Sequence, residues 1–538
     1  MMSTSSHSII PGTDAANRGG IGGDTVPVGT GPVSFDDVVA VARHGARIEL
    51  LAEALDGVGA SRARIEALAN DVRPHYGIST GFGALASTFI TADRRAQLQT
   101  SLIRSHAAGS GPEVEREVVR ALMLLRLSTL MTGRTGVRVQ TVQTYAGMLN
   151  AGITPVVREY GSLGCSGDLA PLAHCALALT GEGEVRVVNE FGESELTDAA
   201  SALAAAGIEP IQLAEKEGLA LINGTDGMLG MLVLALHDLR RLLRTADIAA
   251  AMSVEGLLGT DAVFAADLQA LRPQLGQAES ATNLRRLLAG SPIVASHAGP
   301  EDPTVQDAYS MRCAPQVHGA ARDTADHAAR VAERELASAI DNPVVTLDGR
   351  VQSNGNFHGA PIGYVLDFLA IAAADVASMS ERRIDRFLDV SRNKGLPPFL
   401  AHEVGVDSGL MIAQYTAAGI VSELKRLAAP ASVDSIPSSA MQEDHVSMGW
   451  AAARKLRRSI DGLGRVLAIE IMTAARALDL RAPLTPGAAT GAVHDLVRTE
   501  VQGPGHDRFL SPEIEAVAAM VASGRVVDAA ASVIGDLG

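Results

Sequence analysis

Between about Met228 and Leu258 the chain runs through a stretch whose first half is apolar on nearly every face of a helix, and this constrains the fold more than any other feature. A helix with no polar stripe has no side to offer water and must be enclosed by other elements. Two further segments have the pattern to enclose it. Val317, Ala321, Thr324, Ala328 and Val331 recur at alternating spacings of four and three, the seam of one helix packed on another. Trp450, Ala453, Leu456, Ile460, Leu463, Leu467 and Ile471 form a second stripe, with Arg454, Lys455, Arg457 and Arg458 on the remaining faces. Strand signals are confined to short runs such as Val185 to Val188 and Val344 to Val351. The expected fold class is therefore mainly α, a bundle of long helices. Hydrophobic residues make up 47% of the 538 positions and aromatics only 3%, so the core is built from small aliphatic side chains that let helices approach closely. Tyr76, Tyr309 and Phe357 instead lie in polar, turn-rich segments.

Residues 1–34 are rich in Ser, Gly, Thr and Pro and read as a disordered extension. Folding is expected to begin near Phe35, where Asp36 and Asp37 suit a helix N-terminus. Residues 35–225 are expected to form an N-terminal domain with some mixed structure, 226–480 the bundle, and 481–538 a helical tail. Pro483, Pro486 and Gly503-Pro504-Gly505 mark the breaks. A net charge of -16 repels phosphate backbones and anionic lipid, so neither nucleic acid nor a membrane surface is an expected partner. Asp226, His237, Asp367 and Asp375 interrupt the apolar runs, and no segment reads as membrane-spanning. Three irregularly spaced cysteines, with no apolar signal peptide before them, point to a reducing cytoplasm.

The chemistry concentrates in Gly161-Ser-Leu-Gly-Cys-Ser-Gly-Asp-Leu-Ala-Pro-Leu-Ala-His174. Ser166 and Asp168 precede the helical pattern of Leu169, Leu172, Ala173 and Ala176, so one of them could be an ordinary N-cap. That leaves unexplained three glycines within seven residues, which permit turns that other residues resist. A hydrolase nucleophile elbow is excluded, because G-x-S-x-G needs glycine where Asp168 stands.

The segment resembles the signature of the histidine and aromatic amino acid ammonia-lyases, in which an Ala-Ser-Gly tripeptide cyclises and dehydrates to 4-methylidene-imidazol-5-one (MIO). Here Cys165 replaces the usual Ala; its side chain would stay outside the ring. Gly167 supplies the nitrogen that closes the ring, and Ser166 loses water to give the methylidene. The resemblance runs from about residue 40 to about residue 500 as motifs in the family's order. Tyr76-Gly-Ile-Ser-Thr-Gly-Phe-Gly83 is similar to the loop carrying a catalytic tyrosine, and Asn223-Gly-Thr225 to a position whose Asn contacts cofactor and substrate. Gln306-Asp-Ala-Tyr-Ser-Met-Arg312 places Gln306, Tyr309 and Arg312 as the family does around the substrate carboxylate and MIO, and Arg suits a two-point grip on a carboxylate. Ser353-Asn-Gly-Asn-Phe-His358 resembles the loop whose Phe, here Phe357, packs on MIO.

Two sites bear on substrate. Ser105-His106 resembles the histidine-specific form of the selectivity position, and Gln442-Glu-Asp-His-Val-Ser-Met448 puts Glu443 where aromatic-specific relatives use an amide. A buried carboxylate needs a donor, which an imidazole supplies and a phenyl ring cannot. As single residues, His106 could be structural and Glu443 a helix-start acid. The resemblance therefore implies the ammonia-lyase and fumarase type of helical core, an MIO formed from Cys165, Ser166 and Gly167, no metal, and elimination of ammonia from L-histidine to give trans-urocanate, the first step of histidine degradation. Tyr76 is the implied base, and its ordinary value of about 10 must then be lowered by positive potential; Glu443 is the alternative. His106, Gln442 and Glu443 would orient the imidazole. Relatives are homotetramers with sites shared between subunits, which implies the same here. The rivals are a phenylalanine or tyrosine lyase, an aminomutase, or a scaffold that has lost catalysis.

Overall fold

The computed structural model describes residues 25–538 except 72, 86, 189–192, 300–304 and the side chain of 84. Its centre is a bundle of five helices: α1 (Arg116–Met131), α2 (Asp226–Gly256), α3 (Ala314–Leu336), α4 (Ala360–Leu388) and α5 (Gly449–Leu480). Helix α2 touches the other four. Every residue from Asp226 to Leu236 is buried, as its all-round apolar pattern requires. Its 31 residues span about 46 Å. Small residues permit the close packing: a Cβ on Gly227 would lie 2.5 Å from the Trp450 ring of α5. The α5 stripe from Trp450 to Ile471 is buried as expected, and so are Ala321, Thr324 and Ala328 of the α3 seam.

Helix α4, which the sequence patterns did not single out, is by length and composition alone apolar enough to cross a membrane. Here it packs inside the bundle and buries Asp367, Ser380, Glu381 and Arg383. The short runs near 185 and 344 are strands: Glu184–Val188 pairs antiparallel with Ser194–Asp198, and Val344–Val345 with Val351–Gln352.

One expectation is corrected. Thr25–Val28, inside the stretch read as a disordered extension, is a strand that pairs parallel with Arg47–Leu50 and buries Val26 and Val28. The partner strand lies some twenty residues downstream, so no local periodicity announces it. Ser34 then caps Phe35–Arg43 through a reciprocal box with Asp37. The rest of that extension, 1–24, lies outside the described residues.

Polar side chains lock the bundle from within. Glu470 of α5 accepts from Ser253 of α2 at 2.7 Å, from Ser380 of α4 at 2.6 Å, and from both Nε and Nη2 of Arg383 at 2.5 and 2.9 Å. Arg383 also donates to the Ser310 carbonyl at 2.9 Å, fastening the short helix Tyr309–Arg312 to α4. Removing one partner of a buried pair leaves a charge without compensation, at a cost of about 3–5 kcal/mol. Glu470→Ala should lower stability to urea by that amount, whereas Glu470→Leu with Arg383→Met should restore most of it. Equal losses in both variants would contradict this account of the lock.

Candidate active site

Gly164 and Gly167 face each other across a tight turn with Cys165 and Ser166 at its tip. Ser166 has φ +51° and Gly167 φ +82°. A serine in the left-handed region costs about 1–2 kcal/mol, so its surroundings must hold it there. Gly167 lies against Gly224, and a Cβ at 167 would sit 2.0 Å from the Gly224 carbonyl oxygen. Only glycine fits. The neighbouring Asp168 N–H donates to the same carbonyl at 2.8 Å. Its side chain makes no capping bond to the helix it precedes, Leu169–Leu179. Instead Oδ2 accepts from the Met228 N–H at 2.9 Å, capping α2, while Oδ1 accepts from Ser162 at 2.9 Å. Burial pushes the Asp168 carboxyl up to about 7 despite these bonds.

Four helices begin around this turn. Leu169–Leu179 follows it directly, and α2 is tied to it by Asp168. A Cβ on Gly164 would lie 3.0 Å from the Met448 nitrogen, just before α5, and one on Gly359, just before α4, would lie 2.5 Å from Met228 and 3.0 Å from Ser447. Their free N–H groups and dipoles give the turn a positive potential. The tripeptide therefore fits the ring-forming role on structural grounds: a compressed turn, a position that admits only glycine, and an electron-withdrawing setting.

Several of the expected residues gather here. The Tyr76 hydroxyl accepts from the Gly83 N–H at 3.3 Å, and a Cβ on Gly83 would lie 3.4 Å from Glu443 Oε1. Glu443 sits in a turn ahead of α5 rather than in its first turn, so the helix-start reading does not apply. Its Oε2 is buried without a hydrogen-bond partner, and burial raises its pKa. Gln442 beside it is exposed. Phe357 is half-buried, and its neighbour His358 stacks on His445 with centroids 5.6 Å apart. Asn223, buried next to Gly224, donates from Nδ2 to the Asn342 carbonyl at 2.9 Å and leaves Oδ1 unpartnered. His106 ends a helix, Arg95–His106, that packs on Leu169–Leu179. Its Nδ1 hydrogen-bonds to the Leu102 carbonyl at 2.9 Å, which puts the proton on Nδ1 and leaves Nε2 as an acceptor.

Gln306, Tyr309 and Arg312 are elsewhere. Asp307 accepts from the Thr260 N–H at 2.8 Å, beyond the C-terminal end of α2, whereas Asp168 holds its N-terminal end. The two halves of the expected site are thus about 40 Å apart in one chain. The Arg312 guanidinium lies 4.6 Å over the Tyr309 ring, and Tyr309 is 70% exposed.

One electrostatic expectation is corrected. Tyr76 is not lowered but raised, by burial first and with Glu443 contributing. Burial, followed by the Glu443 carboxylate, likewise pushes the Cys165 thiol up to about 11. Sequence reasoning also missed Lys216 and Asp341, a fully buried ion pair behind Asn223. Nothing local singles the lysine out, because Lys216 stands between Glu215 and Glu217 in the sequence.

The profile of the family described as "Aromatic amino acid lyase" matches residues 33–499. Histidine ammonia-lyase of Streptomyces griseus is 62% identical over 516 residues, covering 95% of this chain and 99% of that protein. The crystal structure of histidine ammonia-lyase from Trypanosoma cruzi superposes with a TM-score of 0.87 at 39% identity, covering 95% of this chain and 96% of that one. Tyrosine aminomutase from Streptomyces globisporus superposes with a TM-score of 0.89 at 36% identity over 96% and 100%. With its long-helix bundle, its glycine-bounded Cys165–Gly167 turn and these matches over nearly its whole length, the chain belongs to the aromatic amino acid lyase family.

Proposed function

We propose that this carbon-nitrogen lyase eliminates ammonia from L-histidine to give trans-urocanate. The observation that carries the choice of substrate is Glu443 Oε2, a buried carboxylate oxygen beside the turn with no donor of its own. An imidazole N–H satisfies it; the phenyl ring of phenylalanine leaves it orphaned, at a cost of about 1–3 kcal/mol. His106 Nε2, left as an acceptor by the bond from Nδ1 to Leu102, is a second partner for a protonated substrate ring, which carries two N–H groups. The relatives named for histidine support the same choice, since fold alone does not separate them from the aminomutase.

Cys165, Ser166 and Gly167 would form MIO, which when present supplies an electron-poor methylidene carbon that makes the substrate amine a better leaving group. The chain's own residues do the rest. Asn223 Oδ1 accepts from the substrate amine, and Phe357 walls the site. Tyr76 takes the β-proton. A second reading gives that proton to Glu443, because burial raises both groups, moving Glu443 toward neutrality and Tyr76 away from it.

Gln306, Tyr309 and Arg312 complete the site from another subunit of a homotetramer, with Arg312 gripping the carboxylate. Two observations support the assembly: the distance of about 40 Å between the halves, and an exposed apolar stripe on α4 formed by Tyr364, Phe368 and Ile371, beside Ile412 and Tyr415 of the next helix, Met411–Leu427.

Ser166→Ala should abolish turnover and the near-ultraviolet absorbance of the cofactor while leaving the helical circular dichroism unchanged; an active variant refutes the cofactor assignment. Glu443→Gln should lower kcat/KM for histidine by about 5- to 150-fold, the equivalent of one orphaned buried group. A loss mainly in KM marks an imidazole anchor, a collapse of kcat marks the base, and unchanged turnover contradicts both. Finally, Ser166→Ala and Arg312→Met, each inactive alone, should recover activity when co-refolded into mixed oligomers. No recovery would place Arg312 outside the shared site.

A further inference from the structure

Behind Asn223 lies a charge pair that no step of the reaction uses. Lys216 and Asp341 are both fully buried, and the Lys216 ammonium donates to Asp341 Oδ2. Lys216 holds a left-handed backbone conformation, φ +68°, directly before the short helix Glu217–Ile222 that ends at Asn223. The other carboxylate oxygen, Asp341 Oδ1, accepts from the Asn342 N–H at 2.7 Å and faces Asn223 Nδ2 at 3.4 Å. Asn223 Nδ2 also donates to the Asn342 carbonyl at 2.9 Å. Arg126 fixes the Asn223 backbone by donating to its carbonyl at 2.8 Å and to that of Ala220 at 3.2 Å. With the backbone held, what remains to be set is which end of the amide faces the turn.

The acceptors decide it. Both hydrogens of Nδ2 face oxygens, one a carbonyl and one an ionised carboxylate, so rotating the amide would set its oxygen against two acceptors. We propose that Lys216 is a positioning residue: by holding Asp341 Oδ2, it keeps Oδ1 aimed at Asn223 Nδ2 and so makes Asn223 present its oxygen, rather than its nitrogen, to the substrate amine. This rests on the role given to Asn223 above. Without the ammonium, Asp341 loses the partner that fixes its carboxylate, and only the Asn342 carbonyl is left to orient the amide.

The charged groups around Asp341 are Lys216, Arg126 and Asp226, and Arg126 is already committed to Asp226. Lys216→Met therefore leaves Asp341 without a cation of its own. That variant should lose about 10- to 100-fold in kcat, the range seen when outer partners of metal ligands are removed, with KM for histidine changed much less.

Lys216→Met with Asp341→Leu removes both charges, so neither is left unpaired in the core. It should fold as well as the wild type and keep the low kcat. Wild-type kcat in either the single or the double variant overturns the proposal. If Asn223→Ala is impaired while the double variant is fully active, the positioning role fails and the role of Asn223 stands; if Asn223→Ala is fully active, that role itself fails. Neutron density of the unaltered protein gives a check that needs no variant. Deuterons on Asn223 Nδ2 directed at Asp341 and Asn342 are expected, and an amide oxygen facing Asp341 would refute the idea.

Discussion

The contact between Gly167 and the carbonyl of Gly224 is the point on which the rest of the structure turns. A Cβ at 167 would lie 2.0 Å from that oxygen, so the turn can press against the start of α2 only because the side chain is missing. Pressed there, Asp168 reaches the Met228 N–H and caps the most buried helix of the bundle. One contact thus joins the strained turn to the core. The left-handed Ser166 is held from both sides, by glycines within the turn and by helix starts around it. Strain of this kind persists only where the surroundings over-determine it, and here the start of α2 presses directly on the turn.

The long helices act on the site twice. Their N-termini meet at the turn and supply positive potential from backbone dipoles. Their length also carries Gln306, Tyr309 and Arg312 to the far end of the molecule, where Arg383 pins the Ser310 carbonyl. A rigid bundle of this length cannot bend to bring its two ends together, which is why the proposed site draws its second half from another subunit. Burial within one chain explains the electrostatics as well. Cys165 and Tyr76 are both pushed upward, away from the thiolate and the phenolate, by burial first and by the nearby Glu443 carboxylate.

Much of this was legible in the sequence because its causes are local. The all-round apolar α2, the stripe from Trp450 to Ile471 and the glycines flanking Cys165 and Ser166 each carry their own periodicity or turn chemistry. What was not legible depends on partners distant in the chain. Thr25–Val28 is a strand only because Arg47–Leu50 lies beside it. Asp168 looks like the cap of the helix it precedes and in fact caps one that starts some sixty residues later. Lys216 reads as a stray charge until Asp341, far downstream, closes on it. The separation of Tyr309 from Tyr76 follows from the length and packing of the bundle, which no motif spacing encodes.

The central claim is that the backbone at the tip of the turn is covalently remodelled, and the mass of that segment tests it most directly. A peptide spanning 165–167, released from enzyme that turns over histidine, should be lighter than its sequence by two water molecules, one lost on ring closure and one from Ser166. The full unmodified mass in catalytically active protein would contradict the account.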